Sequence, residues 1–301
     1  MFNLKTYLLV TSLLLFAASP FVANAQGHDD TASVNRLNKL VKNSITSGHP
    51  DTLLQTAQAA ATLARQLNYP RGLAEALYQA SDCYRLKGDY AAALEQCMQS
   101  LRIWEEQKDL ARQAQLIMQM AMLQKDLSGA NQTEAYLDKG IAYCHLAYPL
   151  YVQVQDTAGM VNSLNTMGII YRDKGKVWGQ LRYYDTAFDA YTKALALIAR
   201  SGKARGSLGR AYNNISQVYI EYKKDYRTAL DYLFKAVLFN DSNHNINSLS
   251  YNYGNISNAY VQLHEYDQGL LYARKMMEAA KALNRPERIQ NAGLQMYRAF
   301  E

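Results

Sequence analysis

The chain is poor in the residues that carry most chemistry. Its 301 residues include three cysteines, Cys83, Cys97 and Cys144, and no CxxC spacing. That argues against a zinc or redox centre, and an odd count in an exported chain leaves at least one thiol unpaired within it. Three small buried side chains are the simpler reading. The five histidines (His28, His49, His145, His244, His264) stand alone, none with a second histidine or a cysteine one helical turn away. HExxH, GxSxG and phosphate-cradling glycine loops are missing. Paired carboxylates such as Glu105 and Glu106 read as exposed positions at a helix end. No cofactor, metal or catalytic group is therefore expected in these residues. Proline (5) and tryptophan (2) are scarce, and after residue 25 no apolar run approaches the ~20 residues a membrane helix needs. The net charge of +6 is spread along the chain, apart from a small cluster between Arg200 and Arg210. A nucleic-acid binder would show a denser stripe, so none is expected as a partner.

What is present begins with a leader-like segment. Lys5 is the single charge in residues 1–25, Tyr7 to Ala18 is apolar, and Ala23-Asn24-Ala25 supplies a small-x-small cleavage pattern. The expectation is a cleaved signal peptide at 1–25, with Gln26 as the mature start. An uncleaved membrane anchor is the alternative, and the apolar run is short for one. Residues 26–33 read as a flexible start, and 34–301 as one array. The bacterial periplasm is the expected location, secretion the alternative, with no membrane insertion of the mature segment.

The array is visible as internal repetition. In "ALYQASDCYRLKGDYAAALEQCMQSLRI", from Ala76 to Ile103, a Gly-Asp-Tyr turn separates two helix-like segments that each carry small residues. Positions equivalent to Ser81 are Val41, Ala121, Gly168, Ser216 and Ser257, at steps of 40 to 48 residues. After each turn two residues recur seven apart: Ala93 and Ser100, Ala135 and Ala142, Ala187 and Ala194, Ala229 and Ala236, Gly269 and Met276. Seven residues is about two helical turns, so both members share a face. Antiparallel helices packed closely need small residues where their axes approach. Gly88 suits a left-handed helix end and Asp89 an N-cap. Gly48 and Gly129 read as the turns of two degenerate units, and Lys176 to Asp185 as an insertion after a turn.

The set "ALYQASDCYRLKGDYAAALEQCMQSL", "SLNTMGIIYRDKG", "AYNNISQVYIEYKKDYRTALDYLFKAV" and "SYNYGNISNAYVQLHEYDQGLLYARKMM" resembles the tetratricopeptide repeat family over roughly residues 34 to 301. The usual period there is ~34 residues, while HEAT and armadillo repeats run ~40–47. The Gly-Asp-Tyr turn and the seven-residue pair favour tetratricopeptide units with lengthened helices. The resemblance implies an all-α fold, a right-handed α-solenoid of about five to six antiparallel helix pairs. It also implies a protein or peptide partner held on the concave face by the first helix of each pair. Carried onto this chain, those positions are Tyr78, Asp82, Arg85, Asn165, Ile169, Arg172, Asn213, Gln217, Ile220, Asn258 and Val261, with Asn214 and Asn255 nearby. Asn and Arg there can hydrogen-bond an extended peptide. A Lys/Asn/Arg carboxylate clamp known in the family is not matched, because Tyr78 and Asp82 stand where it wants Lys and Asn. Trp178, Tyr183 and Tyr184, on the presumed insertion, form a second candidate hot spot or the cap of their own unit.

The last segment, from Pro286, starts a new first helix with no second helix after it. Leu294, Met296, Tyr297 and Phe300 do not make a polar cap. Three arrangements fit: the sensory or interaction region of a longer bacterial signalling protein such as a histidine kinase, a free-standing exported adaptor, or the targeting arm of an enzyme. In the second, the C-terminal helix is where a partner or a second copy would dock.

Overall fold

In the computed structural model, residues 27–45, 49–131 and 133–300 are described. The leader-like segment 1–25, Gln26 and the Gly48 turn lie outside them. Every regular element among the described residues is helical. The α-helices are α1 (Gly27–Ser44), α2 (Pro50–Gln66), α3 (Pro70–Leu86), α4 (Tyr90–Glu106), α5 (Leu110–Asn131), α6 (Glu134–Gln153), α7 (Thr157–Trp178), α8 (Leu181–Ser201), α9 (Leu208–Val218), α10 (Tyr226–Ser242), α11 (Ile246–Gln262), α12 (Tyr266–Ala282) and α13 (Pro286–Phe300). No described helix is long and apolar enough to cross a membrane. Helix α1 starts at Gly27, inside the stretch expected to be a flexible start, and it buries Val34 and Val41 completely.

The chain forms two compact units, one up to Cys83 and one from Tyr84 on. In the first, α1 and α2 pack through Leu37, Ala60 and Ala61, joined by Leu73 and Ala76 of α3. The amide of Asn38 donates to the Gly72 carbonyl at 3.0 Å, fixing α1 on α3. In the second, each helix packs chiefly on its neighbours in sequence, as a solenoid of helix pairs.

The turns repeat one device. Gly88 adopts φ +78°, and the Asp89 amide reaches back to the Tyr84 carbonyl at 3.0 Å. That six-to-one bond closes a helix end over a left-handed residue. The Asp89 carboxylate then accepts from the Ala92 amide at 3.1 Å and starts α4. The same reach-back recurs at Asp109, Asp156, Asn245, Glu265 and Arg285. The left-handed residue at those turns is Lys108, Gln155, His244, His264 or Asn284, and none is glycine. Asp109, Asp156 and Asn245 also cap the following helix through their side chains.

Helix lengths explain the irregular repeat step. A 40-residue step is two 17-residue helices with a three-residue turn after each, as in α3 and α4. In α11 and α12 the small residues Ser257 and Gly269 stand 12 apart. A β-carbon on Gly269 would lie 3.4 Å from the Ser257 carbonyl oxygen, and the Ser257 hydroxyl donates to the Gly269 carbonyl at 2.8 Å. In the α5–α6 pair the matching contact is Gly140 on the Ala121 carbonyl at 3.1 Å, so the partner of Ala121 is Gly140. The buried seven-residue pair of α6 is therefore Gly140 and Ala147; Ala135 and Ala142, expected in that role, are exposed. The offset from Ala121 to Gly140 is 19 residues, as it is from Gly168 to Ala187. Seven added residues lengthen both helices by about one turn each and keep the same faces inward. Gly129 thus lies inside α5, and Lys176 to Asp185 is no inserted loop but the meeting ends of α7 and α8 around a left-handed Gly179. In the next pair Ser216 and Ala229 stand 13 apart, and the odd residue is absorbed by a π-helical turn, Tyr219–Lys223, at the end of α9.

The three cysteines are buried, and none is in a disulfide among the described residues. Burial pushes the Cys144 thiol up to about 12; burial, then the nearby Asp82 charge, pushes Cys83 up to about 11. Native protein at neutral pH should resist thiol reagents at all three and react fully once denatured; rapid native labelling of Cys83 or Cys144 would contradict this burial. Two glycine replacements should act oppositely. On Gly168 a β-carbon would sit 2.4 Å from the Tyr191 ring, whereas on Gly129 it would meet nothing within 4 Å. Gly168→Ala should destabilise by about 1–2 kcal/mol, and Gly129→Ala should stabilise by about 0.5–1 kcal/mol, read from chemical denaturation.

Candidate binding surface on the first helices

In the second unit the first helices α7, α9 and α11 are tied together by amide side chains. Asn213 on α9 accepts from Asn252 and from Asn255 of α11, each at 2.9 Å. Asn214 donates to Asn165 of α7 at 3.4 Å, and Arg210 donates to Asn162 at 3.2 Å. Asn240, from second helix α10, donates to Asn252 at 2.7 Å. Asparagine suits such a ladder because one short side chain both donates and accepts. Residues three and four apart along each helix extend it into a surface.

Some capacity stays unused. The Nδ2 of Asn165, the Nε2 of Gln217 and the Nε of Arg172 are buried polar atoms with no hydrogen-bond partner. Arg172 lies 3.2 Å from Asp173 and 3.5 Å from Glu221 on the π turn. Burial disfavours its charge, but Tyr191, Glu221 and Asp173 outweigh that, holding the guanidinium above its ordinary range. Tyr191 is fully buried; burial, only partly countered by Arg172, pushes its phenol well above the usual range, and its hydroxyl is also unpartnered. Buried groups left this way cost free energy unless something meets them.

The expected site residues divide accordingly. Asn165, Asn213, Asn214 and Asn255 meet in the ladder, with Asn165 and Asn214 buried in it; Gln217 follows Asn213 by one turn of α9, and Arg172 follows Asn165 by two turns of α7. Asn258 is half-buried one turn after Asn255. Ile169 packs on the Tyr184–Tyr191 cluster. Ile220 does not line the surface: it is a core residue beside Ala229, Leu230 and Ile256. The step of 48 residues placed it opposite Arg172, but the π turn advances the chain by one, so Glu221 takes that place and Ile220 turns inward. Val261 also turns inward, lying where it would meet a β-carbon on Gly269 at 3.0 Å. Tyr78 and Asp82 are half-buried in the first unit. Arg85 lies 3.9 Å from Asp126 of α5. Asn162, Arg210, Asn240, Asn252 and Glu221 were missed. Extending each triplet back by one turn would have found Asn162, Arg210 and Asn252.

The aromatic group around α7 and α8 is packed inside the fold. Tyr184 is buried, stacked on Tyr222 at 5.2 Å. Trp178 packs on the core cluster of α5, α6 and α7. Tyr183 stacks on Tyr171 at 6.1 Å and covers the Lys174 ammonium, 4.6 Å from its ring centre. Lys174 also pairs with Glu134 at 2.9 Å and Asp138 at 2.5 Å of α6. These rings reach the adjoining pairs: Trp178 and Tyr183 toward α5 and α6, and Tyr184 toward Tyr222 in the turn that follows α9.

No family model and no curated protein matches the sequence. Solved structures do match in shape. Aspartyl phosphate phosphatase F from Bacillus subtilis aligns at TM-score 0.63 and 13% identity, over 91% of this chain and 71% of that one. NprR in complex with its cognate peptide NprX aligns at 0.60 and 14%, over 98% and 78%. The nearly identical TPR-like repeats of a kinesin light chain from Podosopora anserina align at 0.54 and 10%, over 74% and 100%. The fold is tetratricopeptide-like. In this chain the first helices α7, α9 and α11 carry the asparagine ladder.

Lys174 gives a pH test. Burial opposes its charge, but the hydrogen bonds it donates to Asp138, Glu134 and Tyr183 prevail and raise its pKa above the ordinary 10.5. A raised lysine contributes stability that is complete below the unfolded pKa and lost as pH rises through the folded one. The Tm gap between wild type and Lys174→Met should therefore be constant at neutral pH and shrink above about pH 10.5. A gap unchanged there would show that the ammonium contributes no charge pairing.

Proposed function

We propose that this chain is an exported scaffold that recognises an extended segment of peptide or protein along α7, α9 and α11, without bond-making chemistry. One observation carries the reading: the asparagine ladder, along which Asn213, Gln217, Asn255 and Asn258 stay partly exposed. An extended segment offers a carbonyl every ~3.3 Å, and side-chain amides on a regular helical array are suited to meet such groups. The solved structure of NprR with its cognate peptide is consistent with this use of the fold. The likeness to an aspartyl phosphate phosphatase carries the fold alone and assigns no hydrolysis.

Export rests on residues 1–25, and a sensory place in a bacterial signalling protein rests on the resemblance. The leader predicts recovery from the periplasmic fraction with Gln26 as the first residue; recovery in the cytoplasm with Met1 intact would refute export.

Binding can be tested without knowing the natural ligand. Random peptides displayed on phage and selected on the protein should enrich sequences that bind it in calorimetry. Asn213→Ala and Gln217→Ala should each weaken the best of these about tenfold, the equivalent of ~1.4 kcal/mol. Full affinity in both variants would remove the ladder as the recognition surface. Circular dichroism guards against misfolding.

A further inference from the structure

The second unit carries a feature that the ladder does not use, built mainly by its second helices α6 and α8. Between α6 and α8, over α7, is an open cleft of about 270 Å³, lined by Tyr148, Leu164, Ala196 and Leu197, with Lys193 and Arg200 at its rim. Its floor is the cluster of Val161, Leu164, Ala194 and Ile198, on which Tyr148, Leu197, Ala204 and Leu208 also pack. Ala204 and Leu208 belong to the connection from α8 to α9. That connection is therefore held against the same cluster, with Gly202 and Ala204 in the left-handed region and a short 3-10 turn at Arg205–Ser207.

The connection brings a concentration of positive charge to the cleft. Arg200, Lys203 and Arg205 are all exposed. Among the described residues none of the three has a carboxylate within ion-pair distance. Lys193 has Asp189 at 2.7 Å, and its side chain is 64% exposed. Three unneutralised cations on one short stretch repel one another and raise the local potential. An apolar cleft of this size admits one large side chain, below the range of a drug-sized ligand pocket.

We infer that this face is a second docking surface, for an acidic segment of a partner protein that seats one large apolar side chain in the cleft and lays its carboxylates along Arg200, Lys203 and Arg205. Charge complementarity selects the acidic segment. The cleft selects the apolar residue. A single nucleic-acid strand fits less well, since such strands want successive aromatic platforms and Tyr148 is the single aromatic lining the cleft. The site is separate from the ladder, so its occupant need not be the ladder's.

The test uses a short fluorescein-labelled peptide of glutamates and aspartates around one central phenylalanine, and a control with serine in its place. Fluorescence anisotropy with the full chain should show binding that weakens about tenfold for the serine peptide and at least about tenfold for Lys193→Glu/Arg200→Glu. Arg200→Gln/Lys203→Gln, a milder pair, should weaken it by a smaller factor. Asn213→Ala should leave it unchanged, which separates this site from the ladder. No measurable binding, equal binding of the two peptides, displacement by a single-stranded RNA oligonucleotide at matching concentration, or loss in Asn213→Ala would each overturn the inference.

Discussion

Each second helix must return along its first helix with the same face inward, and most of this structure follows from that requirement. Small residues at the crossing let the backbones approach, as at Ser257 and Gly269, where the hydroxyl of one bonds the carbonyl of the other. Once that contact is fixed, the hairpin cannot vary freely in length. Seven extra residues preserve the register because they rotate each chain by about a full turn. One extra residue cannot, and it appears as a π turn at Tyr219–Lys223. The tyrosines then fill the space between the two helices of a pair in stacked contacts, such as Tyr219 on Tyr232 at 5.7 Å and Tyr260 on Tyr272 at 5.8 Å.

This constraint also explains which parts of the fold were legible in the sequence. Ser81, Ala121, Gly168, Ser216 and Ser257 were found by their spacing along first helices. The Gly88-Asp89 turn was legible because both residue types name their conformations. The turns after α5 and α7 were not, since glycines at 129 and 175 imitate turn residues while lying within helices. Helix continuation there depends on packing against the other helix of the pair: Gly140 packs on Ala121, and a β-carbon on Gly175 would strike the Tyr184 ring at 2.6 Å. Those are tertiary facts that no local window contains.

The surface was partly legible for the same reason. Positions counted along a regular helix fell on the amide ladder at Asn165 and Asn213, and missed it at Ile220, one residue into the irregular turn. The failure is informative about the site. The π turn exchanges an aliphatic for Glu221 opposite Arg172, so a local break in helix geometry places a carboxylate on an otherwise amide-rich row. Asn240 adds a point that first-helix counting could not reach, since it rises from a second helix to bond Asn252.

The reach-back turns carry a consequence for motion. Lys108, Gln155, His244, His264 and Asn284 all hold left-handed backbone that glycine would adopt freely, at a cost of about 1 kcal/mol each. The penalty is shared among the pairs instead of being concentrated at one hinge. In an array stabilised by nearest neighbours, evenly spread weakness lets single pairs open and reclose on their own. Amide hydrogen exchange would then fall into blocks one helix pair long, with protection dropping at each turn, and a bound segment spanning several pairs would fuse those blocks into one.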